Sequence, residues 1–204
     1  MRLPYVQDPP QTSNPHEAQV LADIQARRGA NPLLPLDLAL LHSFPIAEGW
    51  NSFFGAIRTQ SILSATVREL AICRVAVMNG ALFEWEQHAP LLQKSGIREE
   101  VLDIIKDAEI DFSSESLCSV LSPEHRIVLR YTDAMTKTIK VPDEVFAELK
   151  VLFSPQEVLE MTTTIAGYNC VSRILVALDI GERNQGADDW LKARSLCADC
   201  GPLP

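Results

Sequence analysis

The chain has 204 residues, 47% of them apolar and 22% charged, and carries a net charge of -9 at pH 7. That length suits one domain with a sizeable core. With no basic run longer than Arg27-Arg28, the composition argues against nucleic acid and anionic membrane surfaces as partners, because both need concentrated Lys and Arg.

No apolar run reaches the ~18 residues of a membrane span, and no basic-then-apolar leader opens the sequence. Five scattered Cys, an odd number, suit free thiols in a reducing compartment. The expected location is therefore cytoplasmic. Residues 1–13, with Pro4, Pro9 and Pro10, read as an extended arm of the kind that lies across a neighbour in an oligomer. Asn14-Pro15 is a cap followed by Pro at the first helical position, so a helix is predicted over 15–28, ended by Gly29-Ala30-Asn31-Pro32. A short helix follows around 36–42. Phe44-Pro45 opens another that reaches about residue 60. Its face Ile46, Trp50, Phe53, Phe54, Ile57 is apolar and aromatic, either as core or with Trp50 and Phe54 walling a pocket. His42, just before that helix, either reaches the pocket or is a structural histidine.

The stretch 68–96, RELAICRVAVMNGALFEWEQHAPLLQKSG, organises the rest. Leu70, Cys73 and Val77, then Leu82, Trp85, His88, Ala89 and Leu92, recur at helical spacing. Asn79-Gly80 between the two runs is a turn signal, so the stretch predicts an antiparallel helical hairpin. At ~1.5 Å rise per residue, Glu69 lies roughly 16 Å before the turn and His88 roughly 12 Å after it. The two are thus at similar height, while Glu84 and His88 share a face at i,i+4. Helices are then predicted over 98–108, 123–137, 143–152 and, from the capping box Ser154-Pro155-Gln156-Glu157, 155–179. A loop is predicted over 107–119, and a short helix over 188–194. No strand pattern occurs, so the expected class is all-α.

His88 can give and take protons near neutral pH. Glu69 and Glu84 can set its tautomer or its titration, and two carboxylates beside one imidazole separate acid from base. The bland alternative is an ion network that only holds the hairpin. Trp85, beside them, is either core or a wall of the substrate site. Tyr168 and Arg173 lie on the last long helix, where Arg173 either pairs with Glu69 or holds a substrate carboxylate. Arg68 and Arg74 are further partners for the acidic groups. Cys73 and Cys170 read as buried small hydrophobes. Cys197-x-x-Cys200 has redox spacing but no helix start after it, and no further ligands nearby for a metal.

The same residues resemble the carboxymuconolactone decarboxylase / alkylhydroperoxidase D-like superfamily. Its peroxidase branch has Glu, eleven residues, Cys-x-x-Cys, three residues and His. Here Glu69 and His88 keep the frame, while Ala81 and Glu84 stand where the cysteines would be. Leu41–Arg58 and Tyr168–Ile180 are similar to the family's leader and last long helices. The resemblance implies a helical bundle over 1–181 with a tail at 182–204, and a homo-oligomer, trimer or hexamer. It also implies a cofactor-free, metal-free lyase or isomerase for a small carboxylated or lactone substrate. A non-catalytic ligand-binding oligomer is the alternative. Thiol peroxidase chemistry is disfavoured, since Ala81 cannot attack peroxide and Glu84 cannot resolve a sulfenic acid.

Overall fold

Residues Ala65–Met78 form a helix that is enclosed on nearly every side, with Leu70 through Val77 essentially inaccessible to solvent. A helix this apolar all round belongs at the centre of a bundle rather than on its surface. The structure, a computed structural model, describes residues 1–187 and Trp190. In chain order its helices are α1 (Pro15–Arg28), α2 (Pro35–Leu40), α3 (Phe44–Gly55), α4 (Ala65–Met78), α5 (Leu82–Lys94), α6 (Glu99–Lys106), α7 (Pro123–Lys137), α8 (Asp143–Leu152) and α9 (Pro155–Leu178). A π turn, Ala56–Gln60, continues α3, and a 3-10 turn, Glu115–Ser119, interrupts the stretch expected to be loop. Among the described residues there is no strand, and the all-α class expected from the sequence is the one observed. The helix predicted over 188–194 and the pair Cys197/Cys200 lie outside the described residues. No helix is long and apolar enough to cross a membrane, among the described residues.

The hairpin forms where the turn chemistry places it. Ser64 caps α4 by accepting from the Val67 amide. At the other end Gly80 takes φ +63°, and the amides of Gly80 and Ala81 return to the carbonyls of Val77 and Ala76. This is the Schellman closure, which consumes carbonyls that α4 would otherwise leave unpaired. Only Gly80 needs the left-handed conformation; Asn79 sits at φ −95°. Its side chain instead donates to Asn169 Oδ1 and Ser172 Oγ, tying the turn to α9.

α4 packs on α5, α7 and α9. Arg74 is wholly buried in it, and it partners none of the acidic groups of the hairpin. Its guanidinium donates to both oxygens of Asp133 on α7 (2.6 and 2.8 Å) and to the carbonyls of Ile105 and Asp107, and stacks 4.7 Å from the Phe112 ring. With the Ala108 carbonyl 3.4 Å from the fifth N–H, every donor direction is used, as a buried charge requires.

α1, α2 and the start of α3 build a cap with its own small apolar cluster of Val20, Ile24, Leu41 and Ala47. Asp37 anchors its loop, receiving two hydrogen bonds from Arg28 (2.7 and 2.8 Å) and one from the Leu34 amide. The cap docks where α3 crosses α9 at Gly167; a Cβ there would come within 3.1–3.3 Å of Phe53, Ile57 and Phe54. The N-terminal arm folds onto its own chain. The Arg2 amide donates to Leu178 O at 2.7 Å, and Tyr5 Oη accepts from the Gly181 amide.

Candidate functional site

Between the cap and the hairpin lies a hollow of about 760 Å³. Trp50, Phe54 and Arg58 enter from α3 and the π turn, Glu69 from α4, Glu84 and His88 from α5, and Tyr168 from α9. Trp50 and Phe54 stack with their ring centres 4.4 Å apart, and Phe54 meets Tyr168 edge-on.

Glu69 and His88 meet across the hairpin, at the common height that the residue count predicts. His88 Nδ1 and Glu69 Oε2 are 2.7 Å apart, and both groups are buried. Burial pushes the imidazole below its ordinary value; the hydrogen bond to Glu69 opposes this, and nearby Arg58 and Arg68 reinforce it. Burial by itself would raise Glu69, but the His88 hydrogen bond and the positive charges around it hold the carboxyl below its usual range. The pair is therefore a carboxylate accepting Nδ1–H from a neutral imidazole at pH 7, which leaves Nε2 as the basic atom. The His88 ring also lies edge-on to Tyr168, with centres 5.0 Å apart. Burial raises the Tyr168 phenol, which stays protonated.

Glu84 does not join that pair. It is 2% exposed, and neither carboxyl oxygen has a hydrogen-bond partner among the described residues. Burial pushes its pKa well above the ordinary carboxyl value. Burial without a partner thus favours the neutral acid in this wall of the hollow.

Three sequence candidates fall elsewhere. His42 is exposed, and its Nε2 lies 2.6 Å from Pro4 O, pinning the arm. Trp85 is 8% exposed and packs beside Trp190 and Lys106 rather than into the hollow. Arg173 pairs with neither Glu69 nor the hollow; it donates to Asn169 O and Oδ1 at 2.8 and 2.7 Å. Cys170 is exposed rather than buried, because the inner face of α9 is taken by Met161, Ile165, Tyr168 and Leu175. Cys73 is buried as expected, and desolvation pushes its thiol well up, away from reactive thiolate. Among the described residues no group of three or more His, Cys, Asp or Glu could hold a metal ion.

Apart from Arg68, expected beside the acidic groups and found 3.6 Å from Glu69 Oε1, the basic lining escaped the sequence reading. Arg27, Arg28, Arg58, Arg68 and Lys94 all face the hollow, in a chain of net charge -9. One signal was available for Arg58. Trp50, Phe54 and Arg58 recur at four-residue steps, so a helix that aims the first two at a pocket carries the third with them.

Two solved structures share this architecture. An uncharacterized peroxidase-related protein from Silicibacter sp. TM1040 is 14% identical with a TM-score of 0.67, covering 87% of this chain and 91% of that one. A protein of unknown function from Agrobacterium tumefaciens, provisionally named as the antioxidant defence protein AhpD, is 21% identical with a TM-score of 0.58, covering 68% of this chain and 90% of that one. At these identities the likeness shows the fold, an AhpD-like helical bundle. Residues 45–116, which include Arg58, Glu69, Glu84 and His88, match the carboxymuconolactone decarboxylase family, the one that the sequence resembles. The uncharacterized protein YdfG of Bacillus subtilis (strain 168) is 26% identical over 121 residues, 58% of this chain and 78% of that protein.

Proposed function

We propose that the hollow carries acid–base catalysis on a small carboxylated or lactone-bearing substrate, by decarboxylation or by a related ring opening or double-bond shift. One observation supports this above the others: a basic Nε2, held by the 2.7 Å contact of His88 with Glu69, and the unpartnered acid Glu84 line the same aromatic-walled space. In the decarboxylation the C–CO2 bond breaks as CO2 leaves, and its electron pair moves into the conjugated carbonyl as a dienolate. Glu84 delivers its proton to the carbanionic carbon and regains one from water. In the isomerisation His88 Nε2 removes a proton next to the carbonyl, and Glu84 supplies one at the far carbon. Glu69 keeps Nδ1 protonated, so that Nε2 stays basic.

Glu84→Gln tests the decarboxylation and His88→Ala the isomerisation with a panel of unsaturated lactone acids, scored by CO2 release and by change of ultraviolet absorbance. Removing a general base or acid lowers turnover by about 10²–10⁴-fold, with helical circular dichroism unchanged. Turnover equal to wild type in either variant would remove the altered residue from the mechanism.

We further propose that the chain works as a homo-oligomer, a trimer or hexamer, and acts in the cytoplasm. Ile46 and Phe53 on α3 are 59% and 45% exposed, apolar surface that a second copy would cover. Light scattering behind a sizing column should report three or six chains, and Phe53→Glu should shift that mass toward one.

A further inference from the structure

The basic lining contains charge that the protein itself does not neutralise. Arg27 and Arg28 are accounted for: both reach Asp37, and Arg27 also donates to Asn51. Arg58 differs. Its side chain has no hydrogen bond and no ion pair among the described residues, although it faces the hollow from the π turn. Arg68, next to Glu69, has a side chain only 15% exposed. Among the described residues its one ionic contact is a loose 3.6 Å approach to Glu69 Oε1, and its Nε is buried with no hydrogen-bond partner. Glu69 already gives its other oxygen to His88, and Glu84 is neutral. Two guanidinium groups thus share a space in which the single anion is committed elsewhere.

A partly buried guanidinium left unpaired is costly, and a planar oxyanion is the ligand that satisfies its fork. The other walls, Trp50, Phe54 and Tyr168, suit a flat unsaturated body. We infer that Arg58 and Arg68 form the anchor for the substrate's carboxylate, fixing it beside Glu69 and turning the rest of a flat ring toward His88 and Glu84. This rests on the proposed acid–base reading of the hollow and adds to it the residues that select the substrate. Arg58 and Arg68 also lower the His88 imidazole and hold Glu69 ionised, so an anion bound between them would partly screen that effect.

Benzoate and its neutral isostere benzamide test the anchor without any turnover, by following amide shifts in 1H–15N spectra. Wild type should bind benzoate at least about tenfold more tightly than benzamide, the worth of one charge-assisted hydrogen bond, and added salt should weaken benzoate alone. Arg58→Gln should erase the preference, and Arg58→Lys should restore part of it, since Lys keeps the charge but not the fork. Equal affinity of wild type for the two probes overturns the inference, as does an undiminished preference in Arg58→Gln. Tighter binding of inorganic phosphate than of benzoate overturns the assignment to a carboxylate. His88→Ala keeps the benzoate preference if the anchor stands, so failure of the catalytic proposal and failure of the anchor give different results.

Discussion

At the residue scale the site turns on one carboxyl that stays protonated and one imidazole that does not. The folded protein raises Glu84 well above its unfolded value. Its contribution is therefore full below about pH 4.3, the ordinary value, and declines as pH rises toward the folded value, because the native state then binds more protons than the unfolded one. Glu84→Gln lacks that cost. It should melt higher than wild type at pH 7, and the gain should shrink at pH 4 in paired thermal melts. The same change should lower turnover, a trade between stability and activity. The pH–rate profile should be a bell. Its acid limb falls where His88 gains a proton, below the ordinary imidazole value of about 6.5, and its alkaline limb falls where Glu84 loses one. Glu84→Gln should abolish the alkaline limb in steady-state assays. The pairing of Glu69 with His88 was legible from residue counting, because helical rise and an Asn-Gly turn set their heights. The isolation of Glu84 was not. Which oxygens find partners depends on what α3 and α9 bring to the hairpin, and no local spacing encodes that.

At the element scale the hairpin and the Ser-Pro helix starts were readable because they are local. Ser64, Ser122 and Ser154 each accept from the amide three residues on, and this capping chemistry is written into the sequence. Helix faces were readable only where one face is apolar. α9 packs against neighbours along much of its length, so its exposed line through Cys170 and Arg173 could not be told from its buried one. Arg74 was misassigned for a related reason: its partner Asp133 lies 59 residues away. Arg74→Met should leave Asp133 without its main partner and the carbonyls of Ile105 and Asp107 unsatisfied, costing about 3–5 kcal/mol, read from the midpoint of urea unfolding. Gly167 sets how closely α3 approaches α9. Gly167→Ala should cost about 1–3 kcal/mol of overpacking and loosen benzoate binding by shifting Arg58, as measured by the same spectral titration.

At the scale of the whole molecule, the acidic groups and the imidazole of the hollow stand on one hairpin, while many of the walls around them come from other parts of the chain. Glu69, Glu84 and His88 stand on the α4–α5 hairpin, bolted to the bundle by Arg74 and Asn79. Much of the roof over them comes from α1, α2 and α3, a unit with its own apolar cluster, and α1 and α2 precede the segment at 45–116 that matches the family. A roof that coheres by itself can be rebuilt without disturbing the floor. Exchanging residues 15–43 for the corresponding stretch of a relative should therefore leave the hairpin's proton inventory and the Arg58–Arg68 anchor as they are and change the size and shape of the acids admitted, so that reactivity and diet become separately heritable traits of one small protein.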